Sequence, residues 1–183
     1  SPEAHLDFAK KWGAINVNRF FTPVEGYPSI AEVRKEPHQQ YNIGGNWHTD
    51  HSYDQIPALG SMLYAKELPK VGGDTLFAGC AAAFDTLSEG MKSTLRSLRA
   101  VHSSRHVFGK SAAIPDDMAD LFGNADKALQ DAEHPVVIKH PLSGRETLYV
   151  NPGFTTRFVG WTEKESNSLL AFLYEHISRP EHT

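Results

Sequence analysis

Apolar positions fall in short bursts broken by glycine and proline, a pattern of many brief elements rather than a few long ones. Ser1 is placed to cap a helix with Pro2 at its first position. Leu6, Phe8, Ala9 and Trp12 would be its buried side, and Gly13 its end. Residues 14–46 read as irregular, because Pro23, Gly26, Pro28 and Pro37 interrupt any long element. Gly60 to Ala65 and Thr75 to Ala78 read as strands joined by a turn-rich link from Leu68 to Asp74. Ala81 to Leu87 and Ser88 to Leu98 suit two short helices, and Ala100 to Ser103 an extended segment.

The second half is more regular. Pro135 to His140 and Glu146 to Asn151 flank Ser143-Gly144, which predicts a hairpin. Thr162-Glu163-Lys164-Glu165 matches a capping box. The helix that follows carries an apolar stripe of Leu169, Leu170, Phe172, Leu173 and Ile177, with Pro180 as its stop. Residues 109–133 read as a polar insertion with a helical stretch near Lys127 to Glu133, either a mobile lid or, more commonly for such segments, a solvated excursion. Strands outnumber helices in this reading, so the chain is expected to be mainly β with flanking helices.

Length and charge narrow the function. A chain of 183 residues suits one domain. Its net charge of -4, with interspersed signs and no basic stripe, argues against nucleic acid as a partner. No apolar run approaches the roughly 20 residues of a membrane span. The N-terminal residues do not read as a signal peptide. Cys80 is the only cysteine, which excludes an intrachain disulfide and fits a reducing, cytoplasmic setting.

The sharpest chemical signal is Asn46-Trp47-His48-Thr49-Asp50. In an extended segment residues two apart share a face, so His48 and Asp50 would project together. One imidazole and one carboxylate are two parts of the facial triad of non-haem iron(II) oxygenases. A His-x-Asp triplet by itself is more often a surface polar pair. Here it follows Gly44-Gly45 and an aromatic residue and precedes an apolar segment.

With these residues in view, the chain resembles the taurine dioxygenase family, which includes the 2,4-dichlorophenoxyacetate dioxygenases. The resemblance is carried in order by Trp47-His48-Thr49-Asp50, Ala65-Lys66-Glu67-Leu68-Pro69 and Gly72-Gly73-Asp74-Thr75. It continues through His134-Pro135-Val136-Val137, His140-Pro141, Val150-Asn151 and Gly153-Phe154-Thr155-Thr156-Arg157. It implies a double-stranded β-helix (a cupin-like jelly roll), and iron(II), 2-oxoglutarate and O2 as reactants. His48 and Asp50 would be metal ligands, and Thr75 would bind the 2-oxoglutarate carboxylate. Phe108 and Phe154 would be aromatic walls of the substrate pocket, with His51 and Tyr53 lining the same cavity.

The resemblance also implies a second histidine ligand and a 2-oxoglutarate-binding arginine in a segment after Pro180, which this chain does not contain. Residues 1–183 are thus expected to be a single dioxygenase domain, clipped at both ends. His134, His140, His51 and His106 do not match the distal ligand. His176 is expected on the outer side of the terminal helix and His182 in a frayed end. The substrate side departs from taurine-specific relatives at Asn16, Asn18, Arg19, Phe20 and Gly44. The expected substrate is therefore another small, anionic organic molecule: a sulfonate, sulfate ester or carboxylate. Arg19 is a candidate partner for its charge, against the commoner reading of a surface arginine. Family members form dimers or tetramers, so a homo-oligomer is also implied. The rival readings are a non-catalytic binding or structural module on this scaffold, and a cupin-like hydrolase or isomerase. The Gly-Gly-Asp-Thr stretch argues against the last.

Overall fold

Helix α1 (Pro2–Lys10) begins where its cap requires, with the Ser1 hydroxyl accepting from the Ala4 amide at 3.4 Å. The computed structural model describes residues 1–110 and 112–183. No residue of α1 is buried, and Phe8 and Trp12 are 50% and 65% exposed, so the expected buried side does not form. The helix rests on a small ribbon instead of the core, held partly by the Tyr27 hydroxyl on the Glu3 carboxylate. That ribbon, β1 (Pro23–Val24) and β2 (Tyr27–Ala31), turns at Gly26, whose φ of 77° suits glycine. It corrects the irregular reading of residues 14–46. Pro23 and Pro28 are tolerated because a two-stranded ribbon is all edge.

Neither Gly60–Ala65 nor Thr75–Ala78 forms a strand. Leu63, Leu76 and Phe77 are 77%, 70% and 79% exposed. Strand propensity is a measure of packing against neighbours, and among the described residues these segments find no ladder partner.

The core is assembled by the helices and sheets that follow. α2 (Cys80–Asp85) and α3 (Glu89–Arg96) occupy the two predicted helical windows. β3 (Arg99–Ser103) is the centre of a three-stranded antiparallel sheet in the order β4-β3-β7. β4 (Asp131–Pro135) pairs Arg99 with Pro135 and Ser103 with Asp131. β7 (Thr155–Phe158) pairs Ala100 with Phe158 and His102 with Thr155, across a bulge between Val101 and His102. The predicted hairpin forms as β5 (Val137–Lys139) and β6 (Glu146–Leu148), with Gly144 left-handed in its turn. Helix α5 (Glu163–Ile177) starts at the predicted capping box: the Thr162 hydroxyl accepts from the Glu165 amide, and the Glu165 carboxylate accepts from the Thr162 amide. Its Ser166 hydroxyl accepts from the Phe158 amide, which pins α5 to β7.

Phe84, Leu95, Val136, Leu148, Phe158 and Leu173 are the centre of the main core, each 2% exposed or less. Truncating Leu173 to alanine there would cost about 2–5 kcal/mol. Helix covers more of the chain than strand, and no barrel closes among the described residues. The architecture is therefore mixed α/β with several small antiparallel sheets, a correction to the mainly β expectation.

A second, aromatic cluster holds Phe20, Tyr53, Phe108, Ala128 and Phe154. It is built by α4 (Arg105–Phe108), a short helix that sequence reasoning missed, and by the segment expected to be an excursion. That segment is anchored. Phe122 bridges Phe21, the Gly123 amide donates to the Phe20 carbonyl at 2.7 Å, and Met118 and Leu121 are buried. The helical stretch expected near Lys127 to Glu133 is a single 3-10 turn, Ala125–Lys127, that leads directly into β4.

His176 and His182 are 5% and 7% exposed, against the expectation of an outer face and a frayed end. Both ring Nε2 atoms meet the Thr86 hydroxyl, at 3.1 and 3.3 Å. The His182 carbonyl accepts from the Gly79 amide at 2.7 Å, so the 3-10 turn Pro180–His182 is latched to the start of α2.

Candidate active site

His48 and Asp50 lie on a connection with no regular secondary structure, yet their side chains converge. His48 Nε2 is 3.3 Å from Asp50 Oδ1. Two donors each about 2.1 Å from a shared ion, near a right angle apart, would be about 3 Å from one another. The spacing fits two ligands of one metal. His48 Nδ1 lies 2.7 Å from the Asn46 carbonyl. A proton held there leaves Nε2 as the free lone pair, the tautomer a metal needs. The Ser61 hydroxyl donates to Asp50 Oδ2 at 2.5 Å, fixing the second carboxylate oxygen.

The pair also couples electrostatically. The Asp50 contact raises the His48 pKa above its usual value, against a smaller opposing effect of burial. The His48 contact holds the Asp50 carboxyl down to about 2, helped by Ser61. Asp50 is thus a carboxylate at any ordinary pH, available to a cation. Among the described residues no group of three or more His, Cys, Asp or Glu side chains could hold a metal, so no third such group stands with His48 and Asp50. Their donor chemistry, one nitrogen and one oxygen with an orienting partner on each, fits two positions of a facial triad.

The predicted substrate-side residues come together. Tyr53 and Phe154 meet edge to face at 4.7 Å, Phe154 lies 6.1 Å from Phe108, and the His48 ring stands edge-on to Phe154 at 6.4 Å. All three aromatic residues are buried, and burial pushes the Tyr53 phenol far above its usual pKa, so it is neutral. His51 packs at 5.6 Å from Tyr53 and places Nδ1 2.9 Å from Asp54 Oδ2. Thr75 is exposed. The two residues after it, Leu76 and Phe77, border a cavity of about 150 Å³ whose other walls include Trp47, His48, Asn151 and Tyr174.

Arg19 is not a free cation. Its guanidinium pairs with Asp54 at 2.7 Å, reaches Gln130, and stacks 4.8 Å from the Phe20 ring. Three further histidines are bonded elsewhere: His106 meets the Gly153 carbonyl, His134 the Asp54 carbonyl and His140 the Ser143 hydroxyl. Sequence reasoning missed Ser61, Asp54 and Ser52. No spacing rule links a serine 11 residues downstream to Asp50. Asn151-Pro152-Gly153 did carry a signal, since asparagine before Pro-Gly favours a side-chain-bonded turn.

Comparison with known proteins places the chain in a family. The family described as taurine catabolism dioxygenase TauD, TfdA family matches residues 1–183. The chain is 38% identical to an alpha-ketoglutarate-dependent sulfonate dioxygenase of Saccharomyces cerevisiae over 96% of its own length and 43% of that protein. It is 31% identical to an alpha-ketoglutarate-dependent sulfate ester dioxygenase of Pseudomonas putida, covering 99% of this chain and 62% of that one. Among solved structures, a taurine dioxygenase from Burkholderia xenovorans superposes with a TM-score of 0.71 at 28% identity, covering all of this chain and 57% of its own. The chain thus spans roughly half the length of these relatives. The match along the full chain, residues 1–183, assigns this protein to the TauD/TfdA dioxygenase family.

Proposed function

We propose that the protein containing these residues is an iron(II)- and 2-oxoglutarate-dependent dioxygenase that hydroxylates a small, anionic organic substrate: a sulfonate, sulfate ester or carboxylate. The convergence of His48 and Asp50 carries the reading. It is supported by family membership and by relatives named for sulfonates and sulfate esters. Residues 1–183 are one part of a single domain, and the β4-β3-β7 sheet one part of a double-stranded β-helix.

His48 Nε2 and Asp50 would hold the iron, which supplies the activation of O2 coupled to oxidation of 2-oxoglutarate. Asn46 keeps the His48 proton on Nδ1, and Ser61 holds the Asp50 carboxylate in one rotamer. Thr75, which directly precedes two residues bordering the cavity beside His48, would offer its hydroxyl to a 2-oxoglutarate carboxylate. Phe154, edge-on to His48, and Phe108, packed beside it, would supply an apolar wall that excludes water, with Tyr53 and His51 farther from His48. Arg19 is committed to Asp54, so the substrate anion must be met elsewhere.

The test is release of succinate by the full-length protein, dependent on iron, 2-oxoglutarate and a primary substrate drawn from sulfonates, sulfate esters and carboxylates. No release across that panel rejects the reading. One observation favours a second reading, a binding module without turnover: no third ligand stands near His48 and Asp50 among the described residues. Weak iron binding by the full-length protein, with no turnover, would select it.

A further inference from the structure

Asn151 is 4% exposed and its polar groups are all engaged. Its amide donates to the Thr155 hydroxyl at 2.9 Å, and its carbonyl accepts from the Thr155 amide at 3.0 Å. Its side-chain Oδ1 accepts from the Phe154 amide at 2.9 Å, and its Nδ2 donates to the Ser52 hydroxyl at 3.1 Å. The first three bonds are local and shape the 151–155 turn. The fourth crosses 99 residues of sequence to the turn that carries the metal pair.

Ser52 is the natural anchor of that second turn. It is fully buried, two residues after Asp50, and its amide reaches back to the Thr49 carbonyl at 3.4 Å. Between Asp50 and Ser52 the backbone passes through His51 with φ of 57°, an unfavourable conformation for a non-glycine residue. With no ladder and one strained residue, this segment depends on turn and side-chain hydrogen bonds for its shape, and the Asn151–Ser52 bond is the one that ties it to the 151–155 turn. Next to Asn151, the backbone of Gly153 lies against His48 and Phe154 stands edge-on to it.

We infer that Asn151 is a positioning residue: through Ser52 on one side and the Gly153–Phe154 backbone on the other, it holds the 48–52 segment so that His48 and Asp50 converge. This rests on the proposed metal-binding role of those two side chains. Losing an outer partner that orients metal ligands costs about 10–100-fold in metal affinity. Asn151→Leu should therefore weaken Co(II) binding by the full-length protein about tenfold, read from the visible absorption of the bound ion. Ser52→Ala should weaken it several-fold. In the double variant the Ser52→Ala effect should vanish, because both substitutions remove the same link. Thr156→Val deletes a hydrogen bond from β7 to the Val101 carbonyl of β3 without touching the clamp, and should leave affinity within twofold.

A second readout needs no metal. Amide hydrogen exchange at Phe154 and at residues 50–52 should speed up in Asn151→Leu but not in Thr156→Val. Unchanged Co(II) affinity and unchanged exchange in Asn151→Leu overturn the inference, as does an equal loss in Thr156→Val. If Asn151→Leu does not fold, Ser52→Ala decides by the same two measurements. If wild type and His48→Ala bind Co(II) equally poorly, the metal reading has failed, and exchange alone decides whether the clamp exists.

Discussion

Gly153 lies flat against His48: a methyl group built on Gly153 would come within 2.7 Å of the His48 Cβ and 3.3 Å of the Asn151 side-chain oxygen. The glycine is required here by proximity alone, since its backbone is not left-handed. Gly153→Ala must push the His48 side chain away from Asp50 or open the turn. Overpacking of this kind costs about 1–3 kcal/mol. The expected outcome is a Co(II) affinity at least tenfold lower with only a modest drop in melting temperature, measured by metal titration and thermal melting of the same sample.

Metal binding should depend on pH through His48. The Asp50 carboxylate raises the pKa of the metal-free imidazole, so a proton competes with the metal for the pair. A raised pKa moves the competition upward in pH. Co(II) affinity should be flat well above the His48 pKa and fall as the pH drops through it, approaching tenfold per pH unit for one displaced proton. NMR titration of the His48 ring, set beside metal titrations at several pH values, checks this. A pH-independent affinity across that range contradicts it.

His102 makes the fold itself acid-sensitive. It is fully buried on β3, its Nδ1 meets the Thr155 hydroxyl at 3.2 Å, and its Nε2 has no partner among the described residues. Burial, and secondarily the nearby His134, push its pKa down to about 3. A histidine whose folded pKa lies below its unfolded value of about 6.5 binds protons preferentially when unfolded. Its contribution to stability is complete above pH of about 6.5 and is lost as the pH falls from there toward 3, at up to about 1.4 kcal/mol per pH unit. His102→Gln should flatten that part of the urea-stability profile between pH 6.5 and 4.5.

Arg19 should be a stability residue. Its side chain and that of Asp54 are 23% and 12% exposed, and the guanidinium also covers Phe20 and Tyr53. Removing one member of a buried pair costs about 3–5 kcal/mol, and partial exposure here lowers the expectation to about 2 kcal/mol. Arg19→Leu should lower the free energy of unfolding, measured by urea titration, by that amount. In an active full-length protein it should leave the KM for the substrate within about threefold, which an anion-binding arginine would not.

The sequence was most legible where a single local rule decides. The capping box at Thr162 and Glu165, the Ser143-Gly144 turn and the cap at Ser1 each depend on residues within one turn of one another, and all three form. The His48–Asp50 pair was legible for the same reason, its spacing being two. Where distant residues decide, the reading failed. Phe8 and Trp12 read as a helical apolar face, but α1 ends at Lys10 and the small ribbon beside it leaves both residues exposed. The apolar alternation of Leu63 or Leu76 cannot reveal whether a neighbouring strand is present to accept it. His176 and His182 looked peripheral because each is near a helix end, and only their shared contact with Thr86 makes them interior. Phe108 and Phe154 were expected as pocket walls from resemblance alone; their ring contacts with Phe20 and Tyr53, which join four separate parts of the chain, follow no local rule.

His51 sits in a left-handed backbone beside a metal-competent carboxylate, its ring turned toward Asp54. Glycine at that position would relieve about 1 kcal/mol of conformational cost, but it would also loosen the unfolded chain and empty a buried site, so His51→Gly should destabilise the fold. The same exchange would cut the link from the turn carrying His48 and Asp50 to Asp54 and Arg19, and leave Asp50 on a looser hinge. An imidazole wedged in a left-handed turn thus makes heat tolerance and the closeness of His48 to Asp50 fall together, so neither can be engineered at this position without the other.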